Sequence, residues 1–123
     1  METETLVAVV DDDESVRESL PDMLRELGYA AIAFASAEAL LSYGSLDAVE
    51  CLILDVGLPG LSGPQLRREL VRLRRVIPTV FITGGSEASF PTGLQKHEAV
   101  RCLLKPFGEQ RLRSALEAVL CAD

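Results

Sequence analysis

Leu6-Val7-Ala8-Val9-Val10-Asp11-Asp12-Asp13 decides how the chain is read: five apolar residues in a row run straight into three acids. A run this short, unbroken and rich in branched residues suits a strand buried on both faces of a parallel sheet. A strand with one wet face would alternate. The pattern recurs along the chain. Cys51-Leu52-Ile53-Leu54 ends in Asp55, Val80-Phe81-Ile82 in Thr83, and Val100 to Leu104 in Lys105-Pro106. Tyr29 to Ala35 is a further short strand candidate.

Helical patterns fill the gaps. Val16, Leu20, Leu24 and Leu27 repeat at helical spacing, with Gly28 as a C′ stop and Pro21 inside, where a lost donor predicts a bend. Ser36 caps a short helix to about Tyr43. Ser62 and Gln65 have capping-box spacing ahead of Leu66, Leu70 and Leu73, and Leu112, Leu116, Val119 and Leu120 mark a last helix. Strands alternating with helices imply right-handed crossovers. Five such units in 123 residues predict an α/β fold, a flavodoxin-like (βα)5 doubly wound parallel sheet of strand order 2-1-3-4-5. The fourth helix is expected to be irregular, because Gly84, Gly85, Pro91 and Gly93 fall where it belongs; interior Gly costs ~1 and Pro ~3 kcal/mol against Ala. No linker or repeat interrupts the pattern, so residues 1–123 read as one domain that ends with its own last helix.

Composition narrows the function. No stretch approaches the ~20 apolar residues of a membrane span, and Met1-Glu2-Thr3-Glu4-Thr5 lacks the basic start of a secretory signal, which predicts a cytoplasmic protein with no membrane partner. A net charge of −7 argues against direct nucleic-acid binding through a broad basic face. Cys51, Cys102 and Cys121 are odd in number and widely spaced, which favours reduced thiols over disulfides or zinc. The lone His97 reads as a surface or core residue. Arg67, Arg68, Arg72, Arg74 and Arg75 suggest a basic, solvated face on the third helix, with a dock for an acidic partner as the minority reading.

In a parallel α/β sheet, ligands sit outside the carboxyl ends of the strands. Those ends supply Asp11-Asp12-Asp13, Asp55, Thr83 and Lys105 at one edge. Taken singly, each has a bland reading: an acid at a helix start, an Asp turn, a Thr closing a strand, a surface Lys-Pro. Together they make a site. Carboxylates with ordinary pKa near ~3.9 are all ionised at neutral pH and repel. A hard cation with oxygen ligands, Mg²⁺, resolves the conflict and keeps waters for a phosphate oxygen. With Lys105 beside it, such a site favours an incoming phosphoryl group, and an ionised Asp55 can attack phosphorus.

The stretches Val9-Val10-Asp11-Asp12, Leu54-Asp55-Val56-Gly57-Leu58-Pro59-Gly60-Leu61-Ser62-Gly63, Phe81-Ile82-Thr83-Gly84 and Leu104-Lys105-Pro106-Phe107 resemble, in order and spacing, the receiver domain of bacterial two-component response regulators. The resemblance spans essentially the full chain and is closest to FixJ-like receivers. It implies Asp55 as phosphoacceptor, Thr83 and Lys105 as phosphoryl-binding groups, and a Mg²⁺ site of Asp12 directly, Asp11 through water, Asp55, and the carbonyl of Gly57. Asp13 is expected to cap the first helix. The resemblance further implies a signalling domain rather than an enzyme, with self-catalysed phosphorylation and autodephosphorylation. Its implied phosphodonor is a sensor histidine kinase or phosphotransfer protein, its output a contact with an unknown downstream protein, and its state a monomer or weak homodimer. A cis Lys105–Pro106 peptide is also implied.

Four positions depart from the family. Cys102 stands where Tyr or Phe usually turns inward behind the Thr, Glu98 replaces a common Gly, and Pro91 and Gly93 interrupt the fourth helix. These departures predict that the signal leaves by reorganising the segment around Phe90 rather than by rotating a ring on the fifth strand. An alternative function is a degenerate receiver, a scaffold that works without phosphorylation; the intact Asp11, Asp12, Asp55, Thr83 and Lys105 argue against it. A haloacid-dehalogenase-like phosphatase needs a second Asp two residues after the nucleophile, where this chain has Gly57.

Overall fold

Val7 and Val9 face one side of the sheet and Ala8 and Val10 the other, all with no exposed surface, which is why the first run shows no alternation. The computed structural model describes residues 4–91 and 99–121. Its strands are β1 (Leu6–Val10), β2 (Ala30–Phe34), β3 (Cys51–Asp55), β4 (Thr79–Thr83) and β5 (Val100–Leu104). Its α-helices are α1 (Glu14–Glu26), α2 (Ala37–Leu41), α3 (Gly63–Arg72) and α4 (Glu109–Leu120). All strand pairs are parallel and the order is β2-β1-β3-β4-β5, as expected.

Two apolar layers hold the sheet. On one face Val7, Val9, Ile53 and Ile82 pack with Leu20 and Leu24 of α1 and with Leu112 and Leu116 of α4. On the other, Val10, Leu52, Leu54 and Phe81 pack with Leu40 of α2 and with Leu66 and Leu70 of α3. Fully burying one such side chain is worth about 1.5–3 kcal/mol, so the layers outweigh any single helix propensity.

Local signals set the helix ends. Asp13 caps α1 by accepting from the Ser15 amide at 2.9 Å. The helix runs through Pro21 without a break and stops at Gly28, whose φ of +98° suits the left-handed position that Gly occupies at little cost. There the Tyr29 amide reaches the Leu24 carbonyl and the Gly28 amide the Arg25 carbonyl, the paired bonds of a Schellman end. Ser36 caps α2, and Ser62 with Gln65 forms the complete capping box of α3.

Between β4 and β5 the described residues hold one 3-10 turn, Glu87–Ser89, capped by Ser86. Phe90 and Pro91 follow it, half-buried. Gly93, His97 and Glu98 lie outside the described residues, as does the rest of the expected fourth helix. The basic face expected on the third helix needs correction. Arg67 points inward with Leu66 and Leu70 and is 7% exposed. Arg72 pairs with Glu69, and Arg74 and Arg75 lie past the helix end, Arg75 against Asp47. Cys51 is buried, Cys102 half-buried and Cys121 exposed, all three as free thiols. Among the described residues, no helix is long and apolar enough to cross a membrane.

Candidate functional site

The parallel register brings the strand ends to one edge. The first residue beyond β1, β3 and β5 is tied to the neighbouring strand: the Asp11 amide donates to the Phe34 carbonyl at 3.1 Å, Val56 to Ile82 at 2.9 Å, and Lys105 to Thr83 at 2.8 Å. Asp11, Asp55 and Lys105 therefore leave β1, β3 and β5 from a fixed backbone. The Lys105–Pro106 peptide is cis, as the resemblance implied.

Asp11 is fully buried and Asp55 nearly so, whereas Asp12 is exposed. Carboxylate oxygens of the three lie within 4.8 Å of one another. The Lys105 ammonium donates to Asp11 Oδ2 at 2.7 Å and lies 3.4 Å from Asp55 Oδ1. Asp11 and Asp55 thus share the Lys105 ammonium, and Asp12 does not reach it. Burial raises the Asp55 pKa, the Asp11 charge adds to it, and the pull of Lys105 only partly offsets the two. Burial works against the Lys105 ammonium, but its hydrogen bond to Asp11 and the charges of Asp11 and Asp55 outweigh that and hold its pKa above the usual value.

The Asp11 carboxylate has both oxygens engaged: Oδ2 by Lys105 and Oδ1 by the Asp13 amide at 2.9 Å. Asp12 has no hydrogen-bond or ion-pair partner among the described residues, so its carboxylate is the one free to turn toward a ligand. Asp13 is spent on α1; hydrogen bonds from Ser15 hold its pKa below the usual carboxylate range. Thr83 sits at the end of β4, 6% exposed, its hydroxyl accepting from the Gly85 amide at 3.2 Å. Gly57 lies two residues past Asp55 on an exposed turn. The structure thus gathers Asp11, Asp12, Asp55 and Lys105 in direct contact range, with Thr83 and Gly57 on the flanking strand end and turn.

Three contributors escaped the sequence reading. Gly63, the first residue of α3, presses against the backbone of Asp55; any Cβ there would collide with the Asp55 carbonyl oxygen. Glu38 of α2 accepts from the Leu61 amide at 3.3 Å and tethers the loop that carries Gly57. Arg17 of α1 donates to the Asp11 carbonyl at 3.0 Å.

A cluster of oxygen donors with a lysine, at the carboxyl edge of a parallel sheet, can hold a hard cation and an anionic group together. Residues 7–117 match the family model described as the response regulator receiver domain. Nodulation protein W of Bradyrhizobium diazoefficiens is 43% identical over 121 residues, which cover 98% of this chain and 53% of that protein. Transcriptional regulatory protein FixJ of Rhizobium meliloti is 36% identical over 115 residues, 94% of this chain and 56% of that protein. The chain therefore spans about half the length of these curated relatives. The solved structure of FixJ-N superposes with a TM-score of 0.81 at 32% identity, covering 97% of this chain and 95% of that one. The chain belongs to the receiver domain family of two-component response regulators.

Proposed function

We propose that Asp55 accepts a phosphoryl group and that the phosphorylated chain is the signal. The observation that carries this is the Asp11–Asp12–Asp55 cluster with Lys105 between two of its members. The donor set is all carboxylate oxygen, with no nitrogen or sulfur, which fits Mg²⁺. The three carboxylates present oxygens within 4.8 Å of one another, near enough to serve one small hard cation. Asp12, Asp55 and the Gly57 carbonyl would be direct ligands and Asp11 a ligand through water. When bound, the ion neutralises the acids and polarises the incoming phosphoryl oxygens.

The chain's own groups do the rest. Asp55 attacks through a carboxylate oxygen; the new O–P bond forms as the bond from phosphorus to the donor breaks, and the donor leaves with the electron pair. Lys105 supplies a permanent positive charge to a phosphoryl oxygen. Thr83 donates its hydroxyl proton to another, while its oxygen can go on accepting from the Gly85 amide. The buried carboxylate of Asp11 holds the ammonium in place before the donor arrives. Self-catalysed loss of the phosphoryl group to water ends the signal.

Residues 1–123 act as one receiver unit in the cytoplasm, without contacting nucleic acid or membrane, as a monomer or weak homodimer. A sensor histidine kinase or a phosphotransfer protein is the donor, and a downstream protein reads the result. Half-buried Cys102, in place of an aromatic ring, sets its output apart. The test is incubation with Mg²⁺ and a small phosphodonor, read by intact mass. The wild-type chain gains one phosphoryl increment, lost on adding hydroxylamine. Asp55→Asn gains none. An equal gain in the variant refutes the assignment.

A further inference from the structure

We propose that Arg17 is a positioning residue for the acidic pair: its guanidinium fixes the peptide between Asp11 and Asp12 and so sets how the two carboxylates meet a divalent cation. This rests on the reading of the cluster as a Mg²⁺ site. Arg17 Nη1 donates to the Asp11 carbonyl at 3.0 Å in half-buried surroundings. That carbonyl belongs to the planar peptide group that joins Asp11 to Asp12, so holding its oxygen orients the Asp12 amide and both flanking Cα atoms as one unit. The Arg17 amide also donates to the Asp13 carbonyl at 3.1 Å. One α1 residue thus grips the acidic turn at both ends.

The grip matters most for Asp12. Asp11 is held four ways: its amide by Phe34, its carbonyl by Arg17, one carboxylate oxygen by the Asp13 amide and the other by Lys105. Among the described residues the Asp12 side chain has no partner, so its carboxylate is aimed by the backbone. Removing the Arg17 side chain leaves the shared peptide free to tilt, and the free ligand tilts with it.

Charge and position make opposite predictions, which separates them. Arginine is permanently cationic, so if Arg17 acted only through its charge, removing it would deepen the negative field and tighten Mg²⁺ binding. If it acts by position, removal weakens binding. The experiment measures the Mg²⁺ dissociation constant by calorimetry and the melting temperature in chelator, for the wild-type chain and for Arg17→Met and Arg17→Lys. Methionine keeps the apolar stem without donor or charge; lysine keeps the charge and N–H donors. We expect R17M to bind Mg²⁺ about fivefold more weakly, the equivalent of one net hydrogen bond, and R17K to stay within about twofold of wild type. A purely structural role would lower the melting temperature and leave the dissociation constant in place. If R17M does not fold, Arg17→Leu carries the same expectation, having neither charge nor donor. Binding in the neutral variant as tight as wild type, or tighter, would overturn the proposal. Failure of the wild-type chain itself to bind Mg²⁺ would overturn the metal reading, and this inference with it.

Discussion

Asp55→Asn should make the metal-free protein more stable. The substitution keeps the shape of the side chain and an acceptor for Lys105 while removing one anion from a cluster of three. At an effective dielectric of ~20, two unit charges at the 4.8 Å limit of this cluster repel by about 3.5 kcal/mol, and the 3.4 Å contact with Lys105 returns about 5 kcal/mol. Asp12 is exposed, so its share falls toward the aqueous limit of about 1 kcal/mol. The charges seen by Asp55 therefore balance to between about zero and 2 kcal/mol of net repulsion, and the cost of burying the carboxylate adds to that side. We expect a gain of about 1–2 kcal/mol. With an unfolding entropy of ~2.1 cal/mol/K per residue, this is about 4–8 °C for a chain of 123 residues. The pH dependence carries a sign. Because the Asp55 pKa is raised in the folded state, the native chain holds that proton more tightly than the unfolded one. Its penalty is complete above the folded pKa and disappears as pH falls toward the unfolded value near ~3.9. Melting curves in chelator should show the variant's advantage shrinking as pH is lowered from 7 toward 4. A variant no more stable than wild type at pH 7, or an advantage that grows on acidification, refutes the reasoning.

Added Mg²⁺ should stabilise the wild-type chain by about 1.4 kcal/mol at ten times its dissociation constant, or about 5 °C, and Asp12→Asn should blunt the response; superimposed melting curves would contradict a metal site. Gly63→Ala should cost about 1–3 kcal/mol in urea unfolding, because its methyl meets the Asp55 backbone and either helix or strand must shift; an unchanged midpoint would show that α3 adjusts freely. Cys51 is buried with its thiol pushed up to about 12, whereas Cys121 is exposed. A thiol reagent at pH 8 should therefore label Cys121 at once and Cys51 only on unfolding, read by peptide mass.

Most of the scaffold was legible because its signals are local. Unbroken apolar runs such as Cys51 to Leu54 report burial on both faces, and their last residues mark the ligand edge. Ser62 with Gln65, and Gly28 after Leu27, report helix ends that hydrogen bonding then completes. What was missed is mostly not local. Arg17 reaches back six residues, and Glu38 reaches 23 residues forward to Leu61, spacings that belong to no helical or strand period. Gly63 read as a helix start, since the backbone it must clear belongs to Asp55 and is brought there only by packing. Arg67 was misplaced for a different reason. Its phase, shared with Gly63, Leu66 and Leu70, is that of a buried residue, but its charge and its arginine neighbours pointed to solvent. The guanidinium is desolvated, and its Nε has no hydrogen-bond partner among the described residues. The segment after β4 was expected to be irregular from its Gly and Pro, and a single 3-10 turn stands in its described part.

Asp55 as phosphoacceptor can be read out chemically by treating the phosphodonor-reacted chain with borohydride, which reduces an acyl phosphate, and mapping the product by tandem mass spectrometry. Homoserine should stand in place of Asp55 in the wild-type chain when Mg²⁺ is present, and not when the ion is chelated. Reduction mapped to Asp11, Asp12 or any other carboxylate, with Asp55 unmodified, would contradict the assignment.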